Sequence, residues 1–167
     1  MTEDIKSRIR EIYEQENINS DMLFLFDQIP QTRLKNAIKK YASSLSGDET
    51  VILLYDSSSY GSGKDGCILT SKRIYCKNML EKSKFADITE ITGMAYSHVN
   101  PVRVCVETHN VTFTISTVLL AATTKIKLFN FLDKTIKLLL NPSAITATSP
   151  VGGVGHILVD TEIKCKG

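Results

Sequence analysis

The chain has 167 residues, 43% of them hydrophobic and 23% charged, and carries a formal net charge of +2. That balance is ordinary for a globular protein with one real core, and so small a charge excludes nucleic-acid binding driven by bulk electrostatics. The opening MTEDIKSRIREIYEQ is too charged for a secretory leader, and no stretch approaches the ~18 apolar residues of a membrane span. A cytoplasmic protein is expected, at most peripheral to a membrane.

Residues 1–47 read as helical throughout. Ile5, Ile9 and Ile12 recur at helical spacing behind Thr2, a residue type that caps helices. Asn17–Ser20 interrupts, and Met22, Leu25, Phe26 and Ile29 form a second short stripe that Pro30 ends, because the residue before a proline is driven out of the helical region. Gln31–Leu45 predicts a third helix. Leu34, Ala37, Ile38, Tyr41, Ala42 and Leu45 lie on one face and Arg33, Lys35, Lys39 and Lys40 on the other, with Ser46-Gly47-Asp48 closing it.

From Glu49 the period becomes strand-like. Val51–Tyr55 is an apolar β-favouring run, Ser57–Gly66 is a loop of serines and glycines, and Cys67–Thr70 and Arg73–Cys76 flank a Ser71-Lys72 turn. That turn places Cys67 directly opposite Cys76. In a cytosolic chain the pair is expected as buried free thiols rather than a disulfide. Beyond the charged link Glu81–Lys84, short strands are expected at Phe85–Ile88 and Ile91–Tyr96, and a turn at Asn100-Pro101. Val102, Val104 and Val106 then alternate with polar neighbours, Thr108-His109-Asn110 reverses the chain, and Val111, Phe113 and Ile115 alternate in turn. Leu128, Phe129, Leu132, Ile136, Leu139 and Leu140 predict a last amphipathic helix, stopped by Asn141-Pro142. The remainder reads as a loosely docked tail with a short strand at Ile157–Val159. The expected division is 1–47 helical, 48–141 the main domain and 142–167 the tail.

Tyr55-Asp56, then Gly61-Ser62-Gly63-Lys64-Asp65-Gly66, then Leu69-Thr70-Ser71-Lys72-Arg73-Ile74-Tyr75 resemble the opening hairpins of bacterial pleckstrin-homology-like (PH-like) domains, with Cys67-Ile68-Leu69 in place of the usual aromatic-rich strand. The likeness spans Glu49–Leu140 and leaves the N-terminal helices and the tail outside it. It implies an α+β fold: a PH-like antiparallel β-barrel of about seven strands capped by the C-terminal helix. In phosphoinositide-binding members, basic residues in and beside the first hairpin loop hold headgroup phosphates, which nominates Lys64, Lys72, Arg73 and Lys77. The usual basic pattern along the strand is missing, so the plain alternative is a solvated surface.

No constellation for catalysis stands out. Gly61–Gly66 does not match the G-x-x-x-x-G-K-[ST] phosphate loop, no helix follows it, and no G-x-S-x-G elbow exists. His98 and His109 sit near turns, and the four cysteines and three histidines show no metal-ligand spacing, so no metal or other cofactor is expected. Glu3-Asp4, Asp48-Glu49 and Asp87/Glu90 read as helix-end and loop charges. The expected function is a non-enzymatic binding or scaffolding module. A protein segment is the first candidate ligand, accepted along a strand edge, and an anionic lipid surface the second. The alternatives are a nucleotide-binding protein or enzyme using the Gly61–Gly66 loop, and a structural subunit assembling through its N-terminal helices. The basic face of the third helix could itself lie on an anionic membrane or partner.

Overall fold

The computed structural model describes residues 1–97 and 103–143. The Asn100-Pro101 turn, His98, Val102, His156, Cys165 and the tail strand at Ile157–Val159 lie outside the described residues.

Helix α1, Glu3–Gln15, starts where the Thr2 Oγ1 accepts the Ile5 N–H at 3.4 Å, with Glu3 and Asp4 in its first turn. Negative charge there suits the positive end of the helix dipole. Ile9 is fully buried, with Ile5 and Ile12 packed beside it. The helix lies on the last helix, α3, Ala122–Leu140, through an edge-to-face contact of Tyr13 with Phe131 at 5.4 Å between ring centroids. Glu16 accepts hydrogen bonds from Asn130 (3.1 Å) and Lys134 (2.5 Å).

The second expected helix is a strand. β1, Leu23–Leu25, pairs antiparallel with β2, Val51–Asp56, with Leu23 opposite Tyr55. Its side chains alternate: Leu23 and Leu25 enter the main core, and Phe24 packs into a second cluster on the other face. Met22, Leu25, Phe26 and Ile29 do fall at helical spacing, but a backbone ladder along the open edge of β2 outweighs so short a helical stripe. A 3-10 turn, Phe26–Gln28, follows, and Pro30 starts α2, Gln31–Tyr41. This helix ends at Tyr41 rather than Leu45, since Ala42 has left helical geometry.

β2, β3 (Gly66–Thr70), β4 (Arg73–Lys77) and β5 (Lys84–Asp87) continue the first sheet in the order β1-β2-β3-β4-β5. β6 (Ile91–Ser97), β7 (Arg103–Thr108) and β8 (Thr112–Ser116) form the second. All pairings among these eight strands are antiparallel. The fold is therefore α+β, and the expected closed barrel is not found: the described strands form two sheets, one of five and one of three. The eighth strand is β1, drawn from the region expected to be helical.

The central strands are buried on both faces. Leu53, Tyr55, Cys67, Leu69, Ile74 and Cys76 face the core shared with the second sheet and α3. Leu54, Ile68 and Tyr75 face outward and are covered by Ala37 and Tyr41 of α2. The N-terminal segment thus supplies both a core helix and the cover of the five-stranded sheet, so it is built into the same body.

Candidate functional site

Strand direction gives the five-stranded sheet two ends. At the turn end, Ser71-Lys72 joins β3 to β4. At the loop end, residues 57–65 join β2 to β3 and residues 78–83 join β4 to β5. The four nominated cations divide between them and do not converge. Lys72 and Arg73 are at the turn end, Lys64 and Lys77 at the loop end.

Three of the four are already paired inside the fold. Lys72 meets Asp48, whose carboxyl this contact helps hold down at about 2. Arg73 donates from Nε to Asp87 at 2.5 Å, approaches Glu49 at 3.5 Å and lies over the Phe85 ring. Lys77 pairs with Asp65. Lys64 is exposed, and it alone of the four has no ion pair among the described residues.

The serine- and glycine-rich loop at 57–65 is knotted by hydrogen bonds. The Asp56 side chain is fully buried, and its Oδ1 accepts the Ser58 N–H (3.0 Å) and the Ser58 hydroxyl (2.5 Å). Its Oδ2 accepts the Gly63 N–H at 3.0 Å and pairs with Arg33 at 3.3 Å. The Ser58 Oγ in turn accepts the Ser62 N–H at 2.7 Å, while Asn36 of α2 donates to the Ser62 carbonyl at 2.8 Å. Gly63 stands at φ +71°, and a Cβ there would fall 2.4 Å from the Arg33 carbonyl; at Gly66, φ +135°, it would fall 1.9 Å from that of Tyr55. Only glycine lets this loop lie against α2. The amides of Ser62 and Gly63, which a phosphate-cradling loop would turn outward, are taken by Asp56 and Ser58.

Asp48-Glu49 is not simply a loop charge. The Glu49 side chain is buried, accepting from Thr70 Oγ1 (2.6 Å), the Tyr75 hydroxyl (3.1 Å) and Ser46 Oγ (3.1 Å). Burial raises its pKa, and the hydrogen bonds from Thr70, Ser46 and Tyr75 outweigh burial, so it lies below the ordinary 4.5. Cys67 and Cys76 are opposite one another as the turn dictates, both free and buried. Burial pushes the Cys76 thiol up to about 12 and the Cys67 thiol higher, which makes them inert as nucleophiles. His109 sits in the β7–β8 turn, and no group of three or more metal-ligating side chains is found among the described residues.

What the loop end does display is apolar. Between β4 and β5, Met79 is 68% and Leu80 96% exposed, and Leu80 holds φ +65°. This tip is fixed from beneath. Buried Asn78 accepts the Ser116 N–H at 2.8 Å and donates to the Thr114 carbonyl at 2.8 Å and to Glu81 at 3.1 Å. Tyr60, 97% exposed, stands on the neighbouring loop. Lys64, Lys82 and Lys84 are exposed on the same two loops and at the start of β5, and no ion pair to them is found among the described residues. Sequence reading missed Met79-Leu80 because two apolar residues in a turn carry no period. It also missed the Arg33–Asp56 pair, whose one local signal was a serine two positions after an aspartate beside glycines. Comparison of the chain with family models, with curated proteins and with solved structures finds no match.

Proposed function

We propose that the protein is a non-enzymatic binding module of PH-like architecture that docks on an anionic membrane surface through the loop end of its five-stranded sheet. The observation that carries this is the Met79-Leu80 tip, solvent-exposed yet clamped to β8 by Asn78. An L-residue in left-handed backbone costs about 1–2 kcal/mol, and an exposed apolar pair gains nothing in water. Both are offset if the tip enters an apolar phase, with Tyr60 at the interface and Lys64, Lys82 and Lys84 near lipid phosphates. The PH-like assignment is supported by the strand count from β2 onward: a four-stranded meander, a three-stranded meander and one C-terminal helix. No helix among the described residues is long and apolar enough to cross a membrane, so contact would be peripheral. Of the four residues nominated from sequence, Lys64 is retained as a lipid contact, while Lys72, Arg73 and Lys77 serve the fold. The inward use of the Ser62 and Gly63 amides weighs against nucleotide binding by this loop.

A second reading is a protein segment paired along β5, the outer strand of the sheet, where Phe85 is 54% exposed. Vesicle flotation separates the two. The intact chain is expected to float with vesicles of phosphatidylcholine and phosphatidylserine, and Met79→Ser with Leu80→Gly is expected to weaken this about tenfold or more. Equal flotation of the double variant would refute docking through the tip; no flotation of the wild type would leave the protein-segment reading.

A further inference from the structure

We propose that the outer face of α2 is the charge reader of this membrane surface, making binding depend on anionic lipid while the Met79-Leu80 tip supplies insertion. The proposal rests on the docking reading above, and it assigns a role to a helix outside the PH-like element order. Helix α2 contains no acidic residue and four cations, Arg33, Lys35, Lys39 and Lys40. Arg33 is neutralised by Asp56. Lys35, Lys39 and Lys40 are exposed, and no ion pair to them is found among the described residues.

Lys6, Arg10, Lys72, Arg73, Lys77, Lys134 and Lys137 each have an acidic partner, whereas the α2 lysines, like Lys64, Lys82 and Lys84 at the loop end, have no ion pair among the described residues. A total charge of +2 therefore hides a local surplus. Position reinforces it. Lys35 and Lys39, four residues apart, share one line along the helix. Lys40 follows Asn36 by one turn, and Asn36 holds the Ser62 carbonyl at 2.8 Å, so Lys40 lies on the side of α2 that carries the loop. Lys64 is two residues beyond Ser62. Helix α2 runs from the loop end, where Arg33 and Asn36 meet the loop, toward the turn end, where Arg73 donates to the Ser44 carbonyl at 3.4 Å. Lys35 stands nearest the loop end, and Lys39 and Lys40 follow about 6–8 Å further along the axis, within a Debye length of ~8 Å, so their charge is complementary to an anionic bilayer met by that end. The inner face of α2 is committed to the sheet through Ala37 and Tyr41, which fixes the lysines outward.

The test uses the full chain, vesicles of phosphatidylcholine alone or with phosphatidylserine, and low or high salt. Each lysine near an anionic surface is worth about fivefold in binding, so Lys35→Gln, Lys39→Gln and Lys40→Gln together are expected to lower affinity for phosphatidylserine vesicles about a hundredfold. The same triple variant should bind pure phosphatidylcholine as the wild type does, with a shallower salt dependence. The triple Lys→Arg variant should bind normally, which excludes a folding defect as the cause. A Gln variant as tight and as salt-sensitive as the wild type would overturn the proposal and leave the docking reading intact. A wild type that ignores both vesicle types would overturn both.

Discussion

Asp56 carries more of the fold than any residue nominated from sequence. Four donors converge on a carboxylate without solvent access, and removing one partner of a buried, hydrogen-bonded pair leaves the others unsatisfied. Asp56→Ala is expected to cost about 3 kcal/mol, read from the urea midpoint; a loss of a few tenths would mean that the knot is not formed in solution. Glu49 sets an acid limit. Its folded pKa lies below the ordinary 4.5, so it binds fewer protons folded than unfolded. Its stabilisation is complete above that value and is lost as the pH falls through the folded pKa. Below pH 4.5 the wild type should lose stability on acidification faster than Glu49→Gln does, in denaturation series at stepped pH. Leu80 is the residue at which fold and function oppose each other. Leu80→Gly relieves the φ of +65° and should hold stability or raise it by up to about 1 kcal/mol. Vesicle binding should fall in the same variant, and a drop in both would mark Leu80 as merely structural.

At the scale of elements, legibility followed the clarity of the period. β2, β3, β4, β7, β8 and both long helices were readable because each presents an apolar run bounded by turn residues, an apolar–polar alternation or an apolar stripe over several turns. β1 was not, since three residues are too few to separate a period of 2 from one of 3.6, and its partner strand begins 26 positions after its last residue (51 − 25). The α2 boundary failed for a local reason, the departure of Ala42 from helical geometry. The loop at 57–65 was legible as a turn but not as a site, because the local bonds from Asp56 and Ser58 are completed by Arg33 and Asn36, two side chains on a helix far earlier in the chain. Packing also bears on whether α1 belongs to the body. Ile9 sits in the common core, so Ile9→Ala should cost about 2–4 kcal/mol, as buried Ile→Ala substitutions do, against a few tenths for Lys6→Ala on the outer face. Calorimetry should show one transition in both variants; two transitions would make α1 an independent unit.

Across the whole molecule, the two ends of the five-stranded sheet have opposite duties. The turn end is internally neutralised through Lys72–Asp48 and Arg73 with Glu49 and Asp87. The loop end, with the adjacent face of α2, holds the exposed apolar tip and the uncompensated lysines. Such an asymmetry orients a protein at an interface, because the apolar and electrostatic terms act on the same side. The most direct measurement is the line broadening of backbone amide resonances when the chain meets phosphatidylcholine–phosphatidylserine nanodiscs carrying a spin-labelled lipid. Broadening concentrated at Tyr60–Lys64, Met79–Lys84 and the outer residues of α2, with the Ser71-Lys72 turn unaffected, is the predicted result. Broadening centred on the turn end or on the β7–β8 turn, or none at all, would contradict it.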